Sequence, residues 1–230
     1  MFTANNNYND NMKIKNLFPL LMATMLIFAI TACGGTSGNG GDLASVTSNR
    51  ADQERDDDYI IPQDKVNGFE VEMLNEVNFA RLNPKDYAHN RLQEGSEAYY
   101  DLQARGAVAA LKLDPRISRA AQKYAEVLSL SATFGHFADG SNPSDRCIKE
   151  GVNGGCGENI ASGSSGERNA LVNPKLAART FVIQLIVDEG VYDRGHRKNI
   201  LNPAYKLLGI GFAREENSQY LNYCVQDFAK

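Results

Sequence analysis

Apolar positions fall into two kinds of pattern along the 230-residue chain, three-four spacing in the first part of the folded region and short continuous runs at the end. Phe69, Met73, Leu74, Val77, Phe79 and Ala80 make one helical stripe, which should end near Asn83-Pro84 because proline disfavours helix in the residue before it. A second helix is announced by Asp114 as N-cap and Pro115 in the first turn, followed by a stripe of Ile117, Ala121, Tyr124, Ala125 and Leu128. Asn173-Pro174 repeats the device, with Leu176, Ala177, Thr180, Phe181, Gln184 and Leu185 on one side, and this helix should run out at Asp188 and Gly190. Beyond Pro203 the apolar runs Leu207–Ala213 and Tyr220–Phe228 have strand length, and the polar stretch 214–218 between them predicts a hairpin with a five-residue loop. Helices first and strands last indicate an α+β domain, its helices flanking an antiparallel sheet.

The first 65 residues differ from this body. Met12-Lys13-Ile14-Lys15 forms a positive opening, Leu17–Ile30 is an uncharged apolar run, and Thr31-Ala32-Cys33 closes it on small residues. This is the layout of a secretory signal peptide over residues 1–32, with Met12 as the expected start. The run of fourteen residues is shorter than the ~20 that span a bilayer as a helix. Its exit resembles a bacterial lipobox, which implies lipidation of Cys33 and anchoring to a membrane of the cell envelope, periplasmic or surface-exposed. Residues 33–65 are Gly/Ser/Asn-rich and then acidic, with little to bury, and read as a flexible tether to a domain at 66–230.

Without residues 1–32 the chain carries 22 basic and 27 acidic residues. A mildly acidic body with no basic stripe argues against nucleic acid as a partner, since phosphate binding depends on a concentrated basic face. Three cysteines follow Cys33. In an oxidising compartment they amount to one disulfide and one remaining thiol. Cys147–Cys156 is the local pairing, eased by Gly151, Gly154 and Gly155, and a link to Cys224 is the alternative.

Chemistry concentrates between residues 136 and 196. Gly135-His136-Phe137 and Arg194-Gly195-His196-Arg197 hold two of the three histidines, and Glu158 and Asp188 lie between them. Two imidazoles and two carboxylates suit either a divalent cation or proton exchange near neutrality. Both histidines follow helices, where functional side chains collect, and Glu158 reads as part of a glycine-flanked loop. His89 lies in a helical stretch and reads as structural. The chain has neither His-Glu-x-x-His nor a Gly-x-Ser-x-Gly elbow. Cys156 could act as a thiol nucleophile only if it escapes a disulfide.

Leu74-Asn75-Glu76-Val77-Asn78 with Ala80-Arg81 and Asn83-Pro84, then Gly135-His136, Gly157-Glu158-Asn159-Ile160 and Arg194-Gly195-His196-Arg197-Lys198-Asn199-Ile200-Leu201, come in the order seen in bacterial members of the CAP superfamily. The resemblance, to the SCP-like domain of cysteine-rich secretory proteins, antigen 5 and pathogenesis-related proteins, covers residues 68–228. It implies an α-β-α sandwich around a central antiparallel sheet. It also implies a cleft in which His136, Glu158, Asp188 and His196 bind Zn2+ or another divalent cation. Asp188 ends Leu185-Ile186-Val187-Asp188, where the family has Trp-x-x-Glu, so its shorter side chain must approach closely or act through water or a histidine. The family shares no established reaction, so the expectation is an envelope protein that binds an envelope, lipid or protein ligand. A metal-dependent hydrolase of peptide or envelope polymer and a lipid- or sterol-binding module are the alternatives.

Overall fold

The computed structural model describes residues 63–230, with side chains described from Gly68 onward. The expected signal peptide, Cys33 and nearly all of the expected tether lie outside the described residues; helix α1, Gln63–Leu82, begins three residues inside the expected tether. Asn83-Pro84 ends α1 as expected, but proline also opens α2, Pro84–Arg91, with only the non-helical Asn83 between the two helices. Next come α3, Glu97–Ala104, and the two-residue strand β1, Lys112–Leu113. Helix α4, Pro115–Leu130, starts where the sequence places it, with the Asp114 carboxylate accepting the N–H groups of Arg116 and Ile117. Helix α6, Pro174–Val187, likewise has Asn173 accepting from Leu176. Another Asx-Pro start, Asn142-Pro143, opens the short α5, Pro143–Lys149. Helix α7 spans Gly195–Ile200.

Strands β2, Gly157–Gly163, β3, Leu207–Arg214, and β4, Asn222–Ala229, form a sheet in the order β1-β3-β4-β2. The three long strands are antiparallel, as expected, and β1 adds a parallel pairing through Lys112 and Leu113 only. The hairpin loop is seven residues, 215–221, because Leu221 adopts a left-handed φ of 63° and Asn222 turns its N–H back onto Tyr220 O at 2.7 Å, ending the ladder early.

Strand alternation divides the core into layers. Leu208, Ile210, Phe212, Cys224 and Phe228 meet α1 and α6, where Phe69 lies 6.4 Å from Phe181 and 5.3 Å from Phe212. Tyr223 and Val225, with Ile160 and Ala213, meet Ala121, Tyr124, Ala125 and Leu128 of α4. An α-β-α sandwich results. Gly209 and Gly211 set the closeness of α4, because a Cβ on either would run into backbone of Ile117–Ser118 or Ala121–Gln122. At that distance Ser118 and Gln122 accept the N–H groups of Ile210 (3.3 Å) and Phe212 (3.0 Å), covering the edge of β3 that short β1 leaves unpaired. Cys147 and Cys156 are joined, and Cys224 is a buried thiol. Among the described residues no helix is long and apolar enough to cross a membrane.

Candidate functional site

Helix α6 ends because Asp188 takes a left-handed conformation (φ 54°, ψ 38°), which aspartate tolerates better than most residues. The turn aims its carboxylate at the start of α7. There Oδ2 accepts the backbone N–H groups of His196 (3.0 Å) and Arg197 (3.3 Å), while Oδ1 lies 2.6 Å from His196 Nδ1. Arg197, 1% exposed, closes the same corner by donating to Ile186 O at 2.6 Å and Val187 O at 3.1 Å, the last carbonyls of α6. Its guanidinium also pairs with Glu97 and Asp101 of α3. Arg194 donates to Asp188 O at 2.8 Å. The shorter acid therefore reaches its target by backbone placement, as a hydrogen-bond partner of His196.

His136 lies in the turn after α4, bracketed by Tyr124, whose hydroxyl donates to Gly135 O and accepts from Ala138 N. Its Nδ1 is 2.7 Å from Glu158 Oε1. Glu158 is not in a loop: it is the second residue of β2, a strand that its flanking glycines concealed, and it is 6% exposed. Its other oxygen accepts from Arg146 Nη2 at 2.6 Å. Arg146, on α5, also donates to His136 O and Ser141 O, and its guanidinium stacks 3.4 Å over the Tyr124 ring.

The structure thus arranges the four residues as two separate His–carboxylate pairs. Consecutive residues of β2 connect them. Glu158 holds His136 on one face of the strand; Asn159, on the opposite face, donates to His196 O at 3.1 Å and accepts from Asn199 at 2.9 Å. Asn199 also donates to Glu158 O at 3.3 Å. Because β2 is the last strand of the sheet, both pairs sit at one sheet edge. Each imidazole commits Nδ1 to a buried carboxylate, an acceptor when ionised, so Nδ1 is the donor of each pair and Nε2 is the ring nitrogen outside it. The two histidine side chains are 39% and 21% exposed, their carboxylate partners 1% each. Among the described residues no group of three or more His, Cys, Asp or Glu is gathered as a ready metal cluster.

A model of the cysteine-rich secretory protein family, CAP, matches residues 74–228. The chain belongs to that family. No curated protein sequence matches it. Among solved structures, this CAP chain is similar to an extracellular protein containing an SCP domain from Bacillus anthracis, with 19% identity and a TM-score of 0.46 over 71% of this chain and 41% of that one. It therefore spans less than half the length of the Bacillus anthracis chain. An outer surface protein of Borrelia burgdorferi matches at 16% identity and a TM-score of 0.46 over 71% of this chain and 92% of that one. NaASP2, in a crystal structure with Zn2+, matches at 15% identity and a TM-score of 0.43 over 75% of this chain and 82% of that one.

The sequence does not announce the roles of three residues at or beside the CAP site. Arg146 carries no signal beyond composition, and Arg197, although it lies in the Gly-His motif, likewise works by meeting groups distant in sequence. Asp227 lies directly across from Glu158 on β4, fully buried, with both carboxylate oxygens unpartnered. Burial, then the Glu158 charge, push its carboxyl well above the usual carboxylate range, and Arg146 opposes the shift. A lone aspartate in the apolar run Tyr220–Phe228 was the available clue.

Proposed function

We propose that this CAP domain is a binding module whose sheet-edge site takes a divalent cation such as zinc, or a ligand carrying one, through Nε2 of His136 and His196. The observation that carries the reading is the pairing of both Nδ1 atoms with buried carboxylates, the arrangement that orients a histidine and raises its basicity as a metal ligand. In this reading Glu158 and Asp188 orient the imidazoles and do not themselves touch the ion. Two imidazoles are half the donors of a closed zinc site, so water or ligand atoms complete the shell. When bound, the cation supplies a Lewis-acidic contact for an oxygen or nitrogen of that ligand. Binding is favoured over hydrolysis because both site carboxylates are engaged by imidazoles and arginine or backbone donors, and Cys156 is in a disulfide.

The domain, residues 66–230, is proposed to stand outside the cytoplasm on a tether from a lipidated Cys33 after removal of residues 1–32. Metal analysis and zinc titration of the chain from Gly34 to Lys230 test the site. Binding at about micromolar zinc, lost in the His136→Ala, His196→Ala double variant, is expected; no binding by the unaltered chain would overturn the reading. Fatty-acid labelling of cells, abolished by Cys33→Ala, tests the anchor.

A further inference from the structure

We infer that the Cys147–Cys156 disulfide is a redox-sensitive positioning link for one half of the site, the His136–Glu158 pair, and that the His196–Asp188 pair is independent of it.

The two halves are secured by different means. Asp188, Arg194, His196 and Arg197 lie within ten residues and hold one another through the helix ends of α6 and α7. The His136 half is assembled over distance. Its centre is Arg146, which reaches Glu158, His136 O and Ser141 O from α5, a seven-residue helix in the excursion between α4 and β2. A helix that short has little stability of its own. Cys147 and, just after the helix, Val152 pack in a small apolar cluster with Ile117 and Ala120 of α4, and the remaining polar anchors are slight. Glu150 pairs with Arg119 and Lys123, whose side chains are 54% and 66% exposed, and exposed pairs contribute little. Ser144 donates to Cys156 O at 3.2 Å.

The disulfide supplies the firm connection. Cys147 is next to Arg146 and fully buried, and Cys156 stands two residues before Glu158. One covalent link therefore fixes the donor on α5 against the acceptor on β2. Strand β2 itself needs no such help, because it is paired with β4 from Gly157 to Gly163. Asn159 and its contacts to the His196 half stay with the sheet when α5 is released.

The redox step requires a dithiol reductant. One of its thiolates attacks Sγ of Cys156, the partly exposed cysteine, the S–S bond breaks and Cys147 leaves as a thiolate that takes up a proton. The second reductant thiol then displaces Cys156 as its thiol, so two electrons pass to the protein and the reductant ends as a disulfide. The covalent tie that fixes α5 against β2 is then gone, and Arg146 is left to its hydrogen bonds and its stacking on Tyr124.

The test uses the chain from Gly34 to Lys230 labelled with 15N-histidine. The downfield Nδ1–H signals of His136 and His196 are assigned by His136→Gln and followed before and after dithiothreitol, and in a Cys147→Ser, Cys156→Ser variant. Solvent exchange of the His136 proton is expected to speed up about tenfold or more while that of His196 stays within about twofold, the pattern of local opening. Arg146→Gln with the disulfide intact should reproduce the His136 effect. Both signals unchanged, both lost together, or His136 indifferent to Arg146→Gln would each overturn the inference. Its consequence, a zinc affinity about tenfold weaker in the reduced form, rests on the metal reading above. The proton signals need no metal, so failure of zinc to bind either form would sink that reading and leave this one to be judged on exchange.

Discussion

Asp188 touches His196 twice at once, Oδ1 lying 2.6 Å from the ring Nδ1 and Oδ2 accepting the backbone N–H at 3.0 Å, and the left-handed turn of Asp188 sets up both contacts. Each contact makes a separable demand. Asp188→Asn keeps a side-chain oxygen and a tolerance for the left-handed turn but loses the charge that polarises the imidazole. The expected result is a folded protein whose zinc affinity drops about 10–100-fold. Asp188→Ala removes the acceptors for two buried N–H groups and the turn preference together, so a stability loss of about 2–4 kcal/mol is expected in urea unfolding.

Glu158 stands between two partners of different kinds, an imidazole at 2.7 Å and a buried guanidinium at 2.6 Å. Neutralising it as Glu158→Gln leaves Arg146, 8% exposed, without its closest counter-charge. Removing one partner of a buried pair costs about 3–5 kcal/mol, and the carbonyl acceptors that Arg146 keeps should hold the loss to about 2–4 kcal/mol. Denaturant unfolding of Glu158→Gln beside Asp188→Asn checks the contrast. Equal small losses in the two would show that Arg146 does not depend on Glu158.

The long amphipathic helices and the hairpin were legible because each rests on a local pattern, and the four site residues could be named from motifs in order, but their division into two His–carboxylate pairs could not. Asp114-Pro115 and Asn173-Pro174 mark helix starts by side-chain capping, a contact made within three residues. Asn142-Pro143 carries the same signal, but α5 is too short to build an apolar stripe, so no periodicity accompanies it. Strand β2 was hidden for another reason. Gly157, Glu158 and Asn159 have low strand preference, and only pairing with β4 makes them a strand. Asp188 was seen to need a different mode of contact, and the structure supplies the one through a histidine. The roles of Arg146 and Asp227 depend on neighbours brought up by tertiary folding, which no local pattern encodes.

Gly209 and Gly211 sit inside an apolar strand, where glycine ordinarily weakens the ladder. Their value here is the missing Cβ. Gly209→Ala would drive a methyl into the backbone of Ile117 and Ser118, and Gly211→Ala into that of Ala121 and Gln122. Helix α4 cannot yield by a side-chain rotation, so each variant should lose about 3 kcal/mol or more, at the upper end of overpacking costs. Thermal unfolding is the measurement. Because α4 leads into the His136 turn, Gly211→Ala should also disturb His136 more than His196, as their ring-proton shifts would report.

Asp227 provides a pH-dependent prediction. Its carboxyl is held well above the usual carboxylate range by burial and by Glu158 across the strand, with Arg146 opposing. At a pH below the ordinary range near 3.8 the group is protonated whether the chain is folded or unfolded, and it imposes no ionisation penalty. As pH rises, the unfolded chain ionises while the folded one retains its proton, so the unfolded state is favoured. Stability is then lost by up to about 1.4 kcal/mol per pH unit until the folded carboxyl also ionises. Asp227→Asn removes that proton linkage. The amide still leaves polar atoms unpaired at a cost of about 1–3 kcal/mol, so the slope of stability against pH is a better readout than stability at one pH. Urea unfolding from pH 4 to pH 8 should show the unaltered protein losing ground relative to Asp227→Asn as pH rises. Parallel curves would mean that Asp227 ionises alike in the folded and unfolded chain.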